Sequence, residues 1–210
     1  MSTSYDGPGA RSVIGVDAGT VSLREADHLV HDLVDRLGLP PGTLACTHLI
    51  RTAERRGTAV SLALPDADAA EAVWTRVEVE GELSGAGAVL DGRTYGAAAA
   101  VRAAGSAAGE HARREGGRAV LFPGVEHLTG TVTVAELLAL TAVEHLVVVG
   151  ATGGGAPDPS TPVFTRDHVR PEWRGGRLTL ALVPAAGGAL APFEVPNPTP
   201  CCADHAADRA

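Results

Sequence analysis

Lysine and glutamine are absent from this sequence, and aromatic residues are scarce. All 17 basic residues are arginine, and Phe, Trp and Tyr together make up 3% of the 210 residues. A Walker-type phosphate loop needs its lysine, and Schiff-base chemistry on a side chain needs a lysine amine, so the sequence excludes both. With so few aromatic residues, the core has to be built from aliphatic side chains, chiefly Val, Leu and Ala.

Long apolar runs and excess positive charge are missing as well. No run approaches the roughly 18 apolar residues of a membrane span, and residues 1–11 lack the apolar stretch of a signal peptide. The net charge of −8 disfavours nucleic-acid binding, which depends on clusters of basic residues. We therefore expect a cytoplasmic protein that binds neither nucleic acid nor membranes.

Helical and strand patterns alternate along most of the chain. This order predicts an α/β or α+β fold, with a mixed β-sheet, packed helices and a β-meander near the C-terminus. We expect residues 1–11 to be disordered and residues 12–195 to form a single domain. Residues 196–210 then form a proline-rich tail that carries two cysteines and a histidine.

Two capping boxes fix the expected starts of two helices. Ser22 with Glu25 predicts a helix over 22–37, and Thr133 with Glu136 predicts one over 133–142. Strand-like apolar runs at 58–64 and 145–149 should lie in one sheet beneath these helices. Residues 44–55 fit either a short helix or an extended piece. Residues 96–117 fit a long Ala-rich helix that Gly105 and Gly109 weaken. The whole Ala- and Gly-rich segment 81–117 is also the expected place for a linker or mobile segment.

A weak internal repeat suggests an ancient duplication. The sequence GTVSLRE recurs as GTVTVAE, and longer stretches around the two, 15–65 and 126–184, keep a similar order. His48 and His168 are counterparts in this alignment. The alternative is chance similarity in a chain dominated by Ala, Gly, Val, Leu and Arg.

The C-terminal Cys-Cys-x-x-His sequence is the leading candidate for chemistry. Thiolates and imidazoles are favoured ligands of Zn²⁺, and thiolates of Cu(I), so Cys201, Cys202 and His205 could supply three ligands. The alternatives are thiol redox chemistry of the adjacent cysteines and a solvated tail with two incidental thiols. Candidate ligands that would complete a metal site from elsewhere in the chain are Cys46, His48 and His168.

A cysteine nucleophile is the alternative enzyme hypothesis. Cys46, His145 and Asp158 follow one another in an order that resembles papain-like hydrolases, which implies a hydrolase or acyltransferase. The sequence departs from that pattern because it has no Gln to stabilise an oxyanion. A third reading is a non-catalytic module that contacts a partner through its proline-rich tail.

The densest polar stretch, FTRDHVRPEW, offers a possible anion site. If it is a strand, alternation places Arg166, His168 and Arg170 on one face, where they could hold a carboxylate or phosphate of a small molecule. The alternative is an edge strand that is polar in order to prevent aggregation.

Overall fold

A computed structural model of the chain describes residues 12–52, 55–79, 83, 85–150 and 155–195. Over these residues the protein forms four α-helices and twelve strands, with two short 3-10 turns. The helices are α1 (Leu23–Arg36), α2 (Ala67–Val79), α3 (Ala98–Ala112) and α4 (Val134–Leu140). The strands are β1 (Val13–Asp17), β2 (Leu44–Arg51), β3 (Arg56–Ala63), β4 (Gly87–Leu90), β5 (Arg93–Tyr95), β6 (Arg118–Leu121), β7 (Thr131–Thr133), β8 (His145–Val148), β9 (Pro162–Phe164), β10 (Glu172–Arg174), β11 (Arg177–Pro184) and β12 (Leu190–Pro192). None of these helices is long and apolar enough to cross a membrane.

The strands form one mixed sheet, which confirms the predicted fold class. Their order is β5-β4-β1-β3-β2-β6-β10-β11-β12-β9-β7, and β8 pairs with β11 beside this path. Two pairs, β11 with β8 and β12 with β9, are parallel, and the other pairs are antiparallel. The predicted strands at 58–64 and 145–149 therefore do lie in the same sheet.

Both predicted capping boxes begin a helix. Thr133 and Glu136 form a complete box at α4, with each side chain bonded to the other residue's backbone N–H. At α1, the Ser22 hydroxyl accepts from the Glu25 N–H at 3.2 Å, but the Glu25 carboxylate accepts from the N–H of Val21. These local bonds satisfy N–H groups that a helix start leaves without partners.

The first half of the sheet is covered on both faces. Alternate residues of β1 and β3, such as Ile14 and Val60, point into a core shared with α1 and α2. The opposite face of the sheet packs against α3, and Gly15 of β1 and Gly87 of β4 lie where the helix approaches most closely. A Cβ on Gly15 would lie 2.0 Å from the Ala104 carbonyl oxygen, and one on Gly87 would lie 2.6 Å from the Ala100 carbonyl carbon.

α3 lies within the long helix predicted over 96–117, whereas the linker or mobile segment expected at 81–117 is, in its described part, formed by β4, β5 and α3. Small residues there allow α3 to approach the sheet closely, so its alanines and the sheet's glycines pack backbone against backbone. The segment at 44–55 takes the extended alternative over residues 44–51, where it forms β2.

The C-terminal strands depart from the prediction at one place. β10, β11 and β12 are successive antiparallel neighbours, as a meander requires. The polar stretch FTRDHVRPEW is not one strand: β9 ends at Phe164, and Arg166 and Asp167 adopt positive φ values of 55° and 51° in a turn. Arg166, His168 and Arg170 therefore do not share a strand face.

The two stretches of the suggested duplication differ in secondary structure. Aligning GTVSLRE with GTVTVAE pairs β1 with residues 124–128, which contain a 3-10 turn at Val125–His127 rather than a strand. His48 lies on β2, and its suggested counterpart His168 lies in the connection between β9 and β10. The duplication remains a prediction from the sequence.

Candidate functional site

Four polar side chains form a hydrogen-bonded chain between α3 and the sheet. Glu110 Oε2 lies 2.9 Å from Nδ1 of His48, and Nε2 of that ring lies 2.8 Å from Oγ of Ser61. The Ser61 Oγ lies 2.7 Å from Nδ1 of His111. His48 and Ser61 come from the paired strands β2 and β3, while Glu110 and His111 come from the last turn of α3. We call these four residues the buried relay.

The chemistry of the groups gives this relay a direction. An ionised carboxylate only accepts hydrogen bonds, so His48 donates from Nδ1 to Glu110. With the His48 proton on Nδ1 alone, Nε2 would accept from the Ser61 hydroxyl, whose oxygen would accept from Nδ1 of His111 in the matching tautomer. Every bond has one donor and one acceptor. The Glu110 carboxylate is therefore held by a hydrogen bond from the buried side of the protein.

Burial makes the relay rigid. His48, Ser61 and His111 are 2%, 0% and 4% exposed. Gly117, at φ 110°, packs against the His48 ring so closely that a Cβ there would lie 2.6 Å from Cε1. The other end is covered by Trp173, whose ring centroid lies 5.9 Å from that of His111.

Glu110 is the end of the relay that reaches the surface: its side chain is 37% exposed and lines a cleft of about 760 Å³. One wall is a stripe of α3 made by Ala99, Ala103, Ser106 and Glu110. Their spacing of four, three and four residues places them on one helix face. The other walls are the end of β2, at residues 49–52, and the turn after β1. The volume falls in the range of small-molecule sites, about 300–1,000 Å³.

The charged residues that line the cleft are net positive, whereas the whole chain is net negative. Arg51, Arg55 and Arg102 line it together with Asp17 and Glu110, which gives a formal charge of +1 in a protein of −8. Asp17 is buried and forms an ion pair with Arg55. The hydrogen bond from His48 lowers the pKa of Glu110, and this outweighs the opposing effect of its partial burial. Glu110 is therefore ionised at neutral pH.

The three residues of the cysteine-hydrolase hypothesis are not brought together. Cys46 on β2 and His145 on β8 are separated by β6, β10 and β11. Those four interstrand steps amount to about 19 Å along the sheet. Burial raises the pKa of the Cys46 thiol far above its ordinary value, which opposes thiolate formation. Asp158 accepts hydrogen bonds from the backbone and hydroxyl of Ser160.

The predicted metal ligands fall into two groups. Cys201, Cys202 and His205 lie outside the described residues. Cys46 and His48 share one face of β2, but both ring nitrogens of His48 already take part in the relay. Within the described part of the chain, no group of three His, Cys, Asp or Glu residues is placed to hold a metal ion.

His168 and Arg170 belong to a second polar group, which we call the Arg118 cluster. Arg118 contacts Asp27 at 2.6 Å and also pairs with Glu194. Arg170 lies 3.3 Å from Asp27, and His168 lies 3.1 Å from Glu194. Of the three residues of the predicted anion site, His168 and Arg170 therefore contact carboxylates of the protein itself. The third, Arg166, is exposed.

Sequence reasoning missed three of the four relay residues. It left Ser61 unremarked within a buried strand and named neither Glu110 nor His111 as a candidate site residue. The available signal was a lone serine inside the apolar run TAVSLALP. A Glu-His pair at the end of an alanine-rich helix was the second sign, but only the fold shows that the two meet.

No family model, curated protein or solved structure matches this chain. Its function therefore has to be argued from the cleft and the relay.

Proposed function

We propose that this protein binds a small organic molecule in the α3 cleft, with the Glu110 carboxylate as the orienting acceptor. The observation that carries the proposal is a carboxylate on the cleft wall that is hydrogen-bonded to buried His48, whose ring is in turn hydrogen-bonded through Ser61 to His111. A binding group fixed in advance loses little freedom when the ligand arrives, so more of the contact energy remains as affinity.

The rest of the lining suits an apolar ligand body. Leu49, Ile50 and a row of alanines on α3 form the apolar walls, and the small alanine side chains leave room for a ligand. Apolar walls with a few converging polar groups are typical of small-molecule sites.

A blocking variant tests the proposal. Ser106 is an exposed residue in the middle of the cleft, so Ser106→Trp should fill the cleft without disturbing the core. Ala98→Trp is the matched control, because Ala98 is exposed on the same helix but does not line the cleft. Both variants and the unchanged protein are screened by thermal unfolding against a library of small polar and amphiphilic compounds.

A compound present at about 100 times its Kd stabilises its protein by about 2.7 kcal/mol, which raises the Tm by roughly 5–10 °C at this chain length. We expect such shifts in the unchanged protein and in Ala98→Trp, and none in Ser106→Trp. Shifts that persist in Ser106→Trp, or no shift with any compound, would contradict the proposal.

Metal binding through the C-terminal cysteines is a second candidate, and one contact favours it. Glu194, the residue before the last described position, lies 3.1 Å from Nε2 of His168. The seven steps from Glu194 to Cys201 can span about 25 Å when extended. His168 is therefore within reach of the tail. Its Nε2 is bonded to Glu194, so its Nδ1 would be the metal ligand, whereas both ring nitrogens of His48 are bonded within the relay.

The test is metal analysis of protein purified without a metal-affinity tag. The candidate predicts stoichiometric Zn²⁺ or Cu(I), lost in the Cys201→Ser/Cys202→Ser double variant together with some thermal stability, because metal-binding energy becomes folding energy. Metal that survives the double substitution, or metal-free protein after incubation with either ion, rejects this candidate.

A further inference from the structure

We infer that the ligand of the α3 cleft is a primary alkyl amine, whose ammonium group binds Glu110 and whose apolar chain lies along Ile50 and Ala103. This inference rests on the proposed function and adds the chemical class of the ligand. It follows from the acceptor capacity left on Glu110 and from the apolar side chains beside it.

Glu110 keeps acceptor capacity that the protein itself does not use. A carboxylate offers two oxygens with about four acceptor positions between them. Within the described part of the chain, Glu110 accepts one side-chain hydrogen bond, which His48 donates to Oε2. Arg113, three residues further along, is bound to Glu115 at 2.6 Å. Because the Glu110 side chain is 37% exposed, its Oε1 atom is available to a donor in the cleft.

An ammonium group suits this acceptor better than a neutral donor does. It carries three N–H donors and a positive charge, and alkyl amines, like the lysine side chain, are protonated at neutral pH. Ser106 stands four residues before Glu110, about 6 Å along the same helix face. Its exposed hydroxyl can accept a second hydrogen bond from the same ammonium group. Hydrogen bonds between charged partners are roughly twice as strong as neutral ones, so the carboxylate selects for charge.

Apolar side chains continue from Glu110 along both the helix and the strand. Ala103 stands seven residues before Glu110 on α3, about 10 Å along the helix axis. On β2, Ile50 is two residues after His48, so strand alternation places both on the sheet face that α3 covers. Ile50 packs against Ala103, and both line the cleft. They form an apolar floor that starts beside the carboxylate and suits a short alkyl chain.

The arginines that line the cleft do not compete with a ligand for Glu110. Arg55 is already ion-paired within the protein. Arg102 also interacts with another group of the protein, and it stands about 12 Å from Glu110 along the helix axis. Arg51 is three residues from His48 on β2, so strand alternation turns it to the opposite sheet face. The Glu110 carboxylate is therefore the charge that a ligand meets at this end of the cleft.

Hexylamine, hexan-1-ol and hexanoate are the probes, because they share one chain and differ in the charge of the head group. Nuclear magnetic resonance titration of the full chain gives each Kd from the backbone amides of residues 99–110. We expect hexylamine to bind at least tenfold more tightly than hexan-1-ol, since a hydrogen bond to a charged group changes affinity by roughly 10- to 100-fold. Hexanoate, which Glu110 repels, should bind more weakly than either.

Butylamine tests the apolar floor separately from the carboxylate. Each buried methylene group contributes about fourfold in affinity, so butylamine should bind roughly 15-fold more weakly than hexylamine. Equal affinity of the two amines would show that the alkyl chain does not lie against the floor and would overturn the inference.

Glu110→Gln tests the charge of the acceptor. The amide keeps an oxygen for the His48 hydrogen bond but loses the negative charge, so the affinity for hexylamine should fall to about that for hexan-1-ol. Glu126→Gln is the matched control, because Glu126 is exposed and does not line the cleft. Circular dichroism and Tm show whether each variant is folded. If Glu110→Gln does not fold, the comparison of probes on the unchanged protein and on Ser106→Trp decides the question.

The outcomes separate this inference from the proposed function. Equal affinity of hexylamine and hexan-1-ol, or a folded Glu110→Gln protein that keeps the preference for hexylamine, overturns the inference. Hexylamine that binds Ser106→Trp as tightly as the unchanged protein lies outside the cleft, which also overturns it. If other compounds bind the cleft and hexylamine does not, the inference is wrong and the binding site stands. If Ser106→Trp weakens the binding of no compound, the proposed function itself fails.

Discussion

At the scale of single residues, the relay shows how buried polar side chains can satisfy one another's hydrogen bonds. A buried hydroxyl or imidazole without a partner costs roughly 1–3 kcal/mol, yet here each group satisfies the next until the chain ends at Glu110. The residue types could be read in the sequence, but their roles could not. Which strand residue meets which turn of α3 depends on packing between segments about 50–60 residues apart in the chain.

Ser61→Ala tests the relay. The substitution removes the group between His48 and His111, so both rings lose a hydrogen bond while remaining buried. We expect the free energy of unfolding to fall by about 1–3 kcal/mol, measured by urea denaturation. Ser106→Ala, at an exposed serine, is the control and should change it by less than about 0.5 kcal/mol. Equal effects of the two substitutions would show that the relay does not stabilise the protein.

Cys46 provides a second test at this scale. In the Cys201→Ser/Cys202→Ser background it is the only cysteine of the chain. Because burial raises the pKa of its thiol, we expect no reaction with a disulfide reagent in the folded protein and full reaction after denaturation. Rapid labelling of the folded protein would reverse our assignment of Cys46 as an unreactive core residue.

At the scale of elements, capping signals predicted the helix starts correctly, whereas the Ala- and Gly-rich composition did not distinguish a packed helix from a linker. The helix starts at Ser22 and Thr133 followed from short-range capping bonds, which the sequence contains in full. The sequence predicted both a helix over 96–117 and a linker or mobile segment over 81–117, because small residues are typical of flexible chains. The same small residues also allow a helix to pack closely on a sheet, and composition alone does not distinguish the two.

Two glycine substitutions test the close packing of α3. Gly15→Ala places a methyl group 2.0 Å from the Ala104 carbonyl oxygen, so we expect destabilisation of about 1–3 kcal/mol or more. Gly105→Ala lies inside α3 with its nearest neighbour at 3.9 Å. Helix propensity predicts stabilisation there by about 0.5–1 kcal/mol. Opposite shifts in Tm support the packing, and tolerance of Gly15→Ala would contradict it.

At the scale of the whole molecule, the Arg118 cluster ties distant parts of the chain together. It joins α1 through Asp27, β6 through Arg118 and the end of the described chain through Glu194. Burial alone would raise the pKa of both carboxyl groups, but hydrogen bonds and charge from Arg118 outweigh it and lower both values. Sequence reasoning could not find this cluster, because members that are hydrogen-bonded to each other are up to 143 residues apart.

The lowered pKa values give a direction for acid stability. A carboxyl group whose pKa is lowered in the folded state stabilises the protein when the pH is above the ordinary pKa of the group. This stabilisation is lost as the pH falls through the lowered pKa of the folded state. The ordinary values are 3.8 for Asp27 and 4.5 for Glu194. We expect the free energy of unfolding to decline as the pH falls below about 4.5. Urea titrations of the unchanged protein and of Glu194→Gln measure this, and an equally steep decline in the variant would remove Glu194 from the account.

The central claim is that the α3 cleft is a binding site, and a backbone amide chemical-shift map tests it most directly. The protein is titrated with the strongest compound found by thermal screening, and the shifted amides are assigned. We predict that they cluster at residues 49–52 and 99–110, with further shifts at His48 and Ser61 as the relay adjusts. Shifts confined to residues outside the cleft, such as the Arg118 cluster or positions 196–210, would contradict the claim.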